Sequence, residues 1–126
     1  MKKNEFETLH EKMASAWSSR NHTEVLKAFS PDVRYADPLR YSFNGKSELS
    51  KFFGPDGEGS PQTCVLHLTL FDEEKQSGAV EYTYEGEHKY HGVVLIRMEG
   101  NLISHWREYQ HIDERLRSEF LSGTGF

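Results

Sequence analysis

The apolar residues of this chain change their spacing at Thr63, and that change restricts the folds open to it. Before it they return every three or four positions, as on one face of a helix; after it they alternate, as on one face of a strand. Phe6, Leu9, Met13, Ala16 and Trp17 form the first stripe, and Asn4 followed by Glu7 is a capped start, so a helix is predicted over 5–19. Asn21 and Glu24 repeat the start signal, and Val25, Leu26, Ala28 and Phe29 supply a second stripe. Pro31 blocks its continuation. Asp32–Pro38 sets Val33, Tyr35 and Asp37 on one side against Arg34 and Ala36, a short strand ended by Pro38. Gly45 opens a third helix, Ser47–Phe53, which buries Leu49, Phe52 and Phe53 before Gly54 and Pro55 stop it.

Past a Gly- and Pro-rich loop at 54–62, strands are predicted at 63–71, 79–85, 88–98 and 102–110, with turns at Ser77-Gly78, Glu85-Gly86 and Glu99-Gly100-Asn101. Such short connections make an antiparallel meander. Residues 113–121 form either a short helix or an extended tail docked through Leu116 and Phe120, and Gly123–Phe126 fray. Helices followed by strands is the α+β pattern, here three N-terminal helices against one face of a curved, mostly antiparallel sheet. At 126 residues this is one domain, 1–126, with its core over 5–112.

Charge and cysteine content narrow the partners. Fifteen Lys and Arg against 20 Asp and Glu give a net charge of −5 with no basic run, which argues against nucleic acid. The single Cys64 cannot form an intramolecular disulfide, the expectation for a reducing, cytoplasmic compartment. Met1–Leu9 lacks the apolar core of a signal peptide and nowhere do 18 apolar residues run together, so no membrane partner is expected. Aromatic residues, at 13%, suffice for a core and a lined pocket.

Turn arithmetic predicts which side chains converge. With Glu85-Gly86 as a two-residue turn, Tyr82 pairs with Lys89 and Val80 with His91; with Glu99-Gly100 treated alike, Leu95 pairs with Ser104, Val93 with Trp106 and His91 with Glu108. The inner face becomes Val80, Tyr82, His91, Val93, Leu95, Trp106 and Glu108. Shifting the second turn to Gly100-Asn101 keeps these faces, whereas a three-residue loop inverts a strand. Tyr90, Val94, Ile96 and Met98 then fall outside, an apolar stripe that predicts a homodimer. His91 and Glu108, with Asp37 as a third polar group among Tyr35, Tyr82 and Trp106, have the composition of an apolar pocket with convergent polar groups. The bland alternative is a surface ion pair, with Asp37 a turn residue and the aromatics strand formers. His88 and His91, three apart on a strand, lie on opposite faces, so no metal site is expected.

The run Ala16-Trp17, then Leu26-Lys27-Ala28-Phe29-Ser30-Pro31-Asp32-Val33-Arg34-Tyr35-Ala36-Asp37-Pro38, then Gly45 with its helix and Ile103-Ser104-His105-Trp106-Arg107-Glu108-Tyr109, resembles the nuclear transport factor 2 superfamily, in its SnoaL-like branch. The resemblance covers about residues 5–112 and implies a cone-shaped domain whose curved sheet surrounds a deep pocket, often dimeric. Asp37 matches the proton-shuttling Asp of the ketosteroid isomerases, whose oxyanion-binding Tyr and Asp fall on Met13 and among Val93, Val94 and Leu95. Trp106-Arg107-Glu108-Tyr109 matches the Trp-Arg-Asp-Tyr of limonene epoxide hydrolase, while Val80, Tyr82 and Tyr84 stand where that enzyme carries Arg and a second Asp. The resulting expectation is a pocket protein for a small apolar organic ligand, with Asp37, His91 and Glu108 as acid/base groups. Met13, Trp17, Tyr35, Val80, Tyr82, Val93, Leu95 and Trp106 would form the substrate wall, and no cofactor is implied. A non-catalytic binding module and a protein-interaction adaptor are the competing classes.

Overall fold

In a computed structural model, which describes residues 1–125, the elements follow the order α1 (Lys3–Ser18), α2 (His22–Leu26), β1 (Phe29–Asp37), β2 (Tyr41–Asn44), α3 (Lys46–Phe53), β3 (Thr63–Asp72), β4 (Ser77–Glu85), β5 (Lys89–Glu99), β6 (Leu102–Ile112) and α4 (Arg117–Leu121). The six strands make one sheet in the order β2-β1-β6-β5-β4-β3. Among the described residues only the β1–β6 pair is parallel, because the chain must cross from the first edge through α3 before the meander begins. The three helices of the first half are therefore not consecutive: β1 and β2 separate α2 from α3.

Local chemistry accounts for most boundaries. The α1 start lies two residues earlier than the sequence pattern indicates, with Glu5 accepting the Lys2 backbone N–H at 2.7 Å. At α2 the side chain of Asn21 accepts the Glu24 N–H, as expected of an N-cap. This helix stops at Leu26, and Phe29 begins β1 instead of ending the helix. Pro31 is carried within β1, where the register against β6 slips between Phe29 and Arg34 and no ladder hydrogen bond is asked of it. Phe6, Val25, Phe29, Val33, Leu49 and Ile103 are fully buried where α1, α2 and α3 cover the sheet. Gly78 makes room for the first of these, since a Cβ there would lie 2.8 Å from the Phe6 ring and 2.3 Å from the Leu70 carbonyl oxygen.

The register of the meander differs from the turn arithmetic at two places. The β4–β5 loop has three residues, Gly86-Glu87-His88, so that Glu85 faces Lys89 and Val80 faces Val94. Between β5 and β6 the turn is Gly100-Asn101, and the register slips by one after Met98↔Ile103, leaving Ser104 as an extra residue whose Oγ donates to the Arg97 carbonyl. The first departure turns β5 over relative to β4; the second turns β6 over relative to β5. Trp106 and Glu108 thus return to the face of Val80 and Tyr82, and only β5 is reversed. Val94, Ile96 and Met98 are buried on the concave side, while His91, Val93 and Leu95 lie on the convex side, with Val93 37% and Leu95 41% exposed. Of the stripe on which a dimer was expected, Val94, Ile96 and Met98 are core and Tyr90 is half-buried.

The C-terminal segment forms α4 and docks on the convex face. Phe120 stacks on the His91 imidazole at 4.6 Å and Arg117 pairs with Glu81 at 2.6 Å, whereas Leu116 remains 60% exposed. No helix among the described residues is long and apolar enough to cross a membrane.

Candidate functional site

Between the concave face and the helices lies a cavity of about 560 Å³. Its walls come from every layer: His10, Ala14 and Trp17 of α1, Phe52 and Phe53 of α3, Tyr35 of β1, Tyr41 of β2, Val80, Tyr82 and Tyr84 of β4, and Trp106, Glu108 and Gln110 of β6. Of the residues expected to form the site, Trp17, Tyr35, Val80, Tyr82, Trp106 and Glu108 meet here. Met13 is buried beneath the wall in the core. His91, Val93 and Leu95 face away, for the strand reversal described above, and Asp37, opposite Tyr41 in the β1–β2 pairing, lies behind Arg40 and is not itself part of the wall.

Glu108 is the chemical centre. It is 5% exposed and ringed by hydrogen-bond donors: Tyr41 Oη donates to Oε1 at 2.5 Å, Trp106 Nε1 to Oε2 at 3.2 Å, and Tyr82 Oη lies 3.3 Å from Oε2. Burial raises the proton affinity of this carboxyl, and the hydrogen bonds from Tyr41, Trp106, Tyr35 and Tyr82 pull the other way. The same burial, reinforced by the carboxylate's charge, pushes Tyr35, Tyr41 and Tyr82 far above ordinary phenols, so all three keep their protons and remain donors.

Gln110 closes the polar cluster into a ring. Its amide nitrogen donates to Tyr41 Oη at 3.3 Å and its oxygen accepts from Tyr82 Oη at 2.8 Å. A phenol has one proton, so Tyr82 can serve Gln110 or Glu108 but not both. With Glu108 ionised, Tyr82 can turn its proton to the carboxylate; with Glu108 protonated, the carboxylic acid donates to Tyr82, which keeps Gln110. Both charge states are hydrogen-bonded without moving a side chain, as a group that gives and takes protons requires. Gly92 makes this geometry accessible: it sits opposite Tyr82, and a Cβ there would lie 2.9 Å from the Tyr82 hydroxyl and 2.8 Å from Gln110 Cβ.

Asp37 is engaged by its own neighbours. It is 3% exposed, accepts the Leu39 N–H at 3.1 Å and the Arg40 Nε–H at 3.0 Å, and so fixes the turn into β2 and the guanidinium at the cavity rim. The Arg40 side chain also packs over the Tyr90 ring, 5.0 Å from its centroid. Cys64 lines the wall as an unreactive thiol, burial pushing it up to about 12. Among the described residues no cluster of His, Cys, Asp and Glu is arranged to hold a metal ion.

Of the wall residues that the sequence pattern missed, three carry polar groups next to or near the Glu108 cluster. Tyr41 lies on β2, a four-residue edge strand too short to show alternation. Gln110 continues the Trp106-Glu108 parity and was legible by counting on two. His10 lies four residues after Phe6 and three before Met13, inside the apolar stripe of α1, where a polar residue is itself a signal. It is 3% exposed, its Nε2 has no hydrogen-bond partner, and burial alone lowers its pKa to about 4. Leaving such a nitrogen unpaired costs on the order of 1–3 kcal/mol.

No family model matches the chain, and no curated protein does. Solved structures do. An NTF-2 like protein of unknown function from Burkholderia xenovorans is 9% identical, with a TM-score of 0.74 over 98% of this chain and 95% of that one. An LEH-like epoxide hydrolase of M. tuberculosis is 14% identical, with a TM-score of 0.74 over 86% and 84%. A protein with a ketosteroid isomerase-like fold from Catenulispora acidiphila, solved in complex with trimethylamine, is 18% identical, with a TM-score of 0.68 over 80% and 83%. At these identities the likeness is one of fold, and the fold is NTF2-like.

Proposed function

We propose that the protein is an acid/base enzyme of small, largely apolar carbonyl compounds, with Glu108 as the group that moves the proton. The observation that carries this reading is the carboxyl itself, buried in an apolar cavity and held by a ring of donors that accommodates both of its protonation states. A carboxylate in such a place takes a proton from the carbon beside a carbonyl; the C–H electron pair moves into the C–C bond and negative charge gathers on the carbonyl oxygen. Glu108 then returns the proton to the same or another carbon, an isomerisation, or the carbanion attacks a second carbonyl, a cyclisation. Taking the proton of a water molecule that opens an epoxide uses the same carboxylate. The cavity's volume suits a one- to three-ring molecule.

Asp37 and His91 leave this mechanism, the first because it is committed to Arg40 and the second because it lies on the other face of the sheet. A ligand-binding module is the second reading, supported by the engagement of the cavity's phenols with the protein's own groups and by the small molecule seen with the Catenulispora protein. Solvent deuterium exchange into enolisable ketones, followed by mass spectrometry, decides between them: wild type should exchange and Glu108→Gln should not. Binding without exchange in the wild type favours the module. A homodimer, if formed, would cover the convex patch of Leu70, Val93, Leu95 and Tyr109; a mass of one chain by light scattering excludes it.

A further inference from the structure

The charged groups of the cavity are held in different ways at its floor and its rim. At the floor, Glu108 is ringed by phenols and an indole. At the rim stands Arg40, among the described residues the one lysine or arginine that lines the cavity. It is gripped on one edge: the buried Asp37 accepts from Nε at 3.0 Å and is itself fixed by the Leu39 N–H. The guanidinium then packs over the Tyr90 ring at 5.0 Å and beside the Tyr41 ring at 5.7 Å, with the Tyr90 hydroxyl next to it. Because Asp37 takes Nε, the two Nη groups have no carboxylate among the described residues, and the side chain is 36% exposed, so this fork is open at the mouth. Tyr41 joins floor to rim, its ring against the guanidinium and its hydroxyl on Glu108. A ligand that spans the two is therefore on the scale of a single ring.

We infer that Arg40 anchors a carboxylate of the ligand, which makes the ligand class ring-bearing keto acids with one negative charge, carboxylate at the rim and enolisable carbon toward Glu108. Only the second half rests on the acid/base reading of Glu108. Asp37 offsets the guanidinium's charge, so the anchor works through oriented N–H groups more than through net attraction. By holding Nε it also turns the Nη edge outward and removes the entropy cost of ordering a long side chain on binding. A planar carboxylate matches that edge with two parallel hydrogen bonds. Glu58 and Glu87, exposed on the two loops that complete the mouth, oppose a second negative charge, which disfavours phosphate esters and dicarboxylates.

The test uses 4-acetylbenzoate, which carries a carboxylate and an enolisable methyl at opposite ends of one ring, and its uncharged counterpart 4-acetylbenzamide. In titration calorimetry wild type should bind the acid about tenfold more tightly than the amide, the factor of a charge-assisted bidentate pair. The Arg40 guanidinium signals of ¹⁵N-arginine-labelled protein should move with the acid and not with the amide. In Arg40→Gln, whose side chain can still donate to Asp37, the preference should vanish through weaker acid binding alone. Arg40→Lys should keep part of it, a charge without the fork, and Arg107→Gln, opposite Leu95 on the convex side, should keep all of it. Equal binding of acid and amide by the wild type, a preference that survives Arg40→Gln, or unmoved Arg40 signals overturns the inference. So does tighter binding of 4-acetylbenzylamine, the cation that Glu58 and Glu87 would attract. Failure of the two readings is distinguishable: if the acid is preferred through Arg40 but its methyl exchanges no deuterium, the acid/base reading falls and the anchor stands, whereas exchange with no preference for the acid overturns the anchor alone.

Discussion

Two histidines of this domain are buried to nearly the same degree on opposite faces of one sheet and are treated in opposite ways. His91, 6% exposed on the convex face, is fully furnished: Nε2 donates to the Arg115 carbonyl at 3.0 Å, Nδ1 meets Thr83 Oγ1 at 3.2 Å, and Phe120 stacks on the ring. His10, 3% exposed on the concave side, has an orphan nitrogen. The convex histidine is a fastener for α4, and its polarity is spent within the protein. The concave one keeps a hydrogen-bonding capacity that folding does not use. Burial alone does not tell the two apart; what differs is whether the buried nitrogens find a partner.

The sharpest way to break this contrast is to compare the chemistry of the two faces. Glu108→Gln should lower ketone exchange by about 100- to 10,000-fold with the fold retained, whereas His91→Leu should leave exchange unchanged. Because burial raises the Glu108 proton affinity in the folded state, the ionised carboxyl is a stability cost that is absent below its unfolded pKa and grows as pH rises. Glu108→Gln should therefore be no less stable than wild type at pH 8, with the difference closing below about pH 4 in denaturant melts.

The pH response of His10 has the opposite sign. Its folded pKa of about 4 lies below the ordinary 6.5, so the unfolded chain binds the proton first. The stability associated with neutral His10 is fully present above about pH 6.5 and is lost as pH falls toward 4, a change on the order of 3 kcal/mol. His10→Leu should abolish that slope and, by removing an unpaired polar group, melt higher than wild type at pH 7 by about 1 kcal/mol.

Smaller effects are expected at the fasteners. His91→Leu should cost about 1–2 kcal/mol and speed hydrogen exchange in residues 113–121, since α4 loses its polar anchor there. Asp37→Asn keeps the turn but weakens the hold on Arg40, with about 1 kcal/mol of stability lost and less than a tenfold change in exchange rate. A larger loss would return Asp37 to the chemistry.

Most of the fold was legible because periodicity survives in single residues: the α1 stripe, the Asn21 cap and the four meander strands all lie within a few residues of where the pattern places them. The site was legible in part. Trp106 and Glu108 reached the expected face although both register assumptions behind that placement were off by an odd number of residues, three in each case, the loop at 86–88 and the bulge at Ser104 cancelling in parity. His91 had no second slip to rescue it. Tyr41 was invisible because an edge strand of four residues carries too few alternations, and its partner β1 is fixed by long-range pairing that no local pattern encodes. His10 was visible in principle, as the one polar break in an apolar stripe.

The paired slips also say how this sheet can change. In effect β5 is read in a shifted frame, opened at Gly86-Glu87-His88 and closed at Ser104. Removing one residue at either place alone would exchange the environments of a whole strand or of everything after it, sending Val94 and Ile96 to solvent or carrying Glu108 and Gln110 to the convex face. Removing one at both places would leave the cavity walls on β4 and β6 in frame while re-presenting β5 alone, with His91, Val93 and Leu95 turned inward. Length variation here is tolerable only in compensating pairs, and such a pair offers a way to exchange one wall of the cavity without touching Glu108.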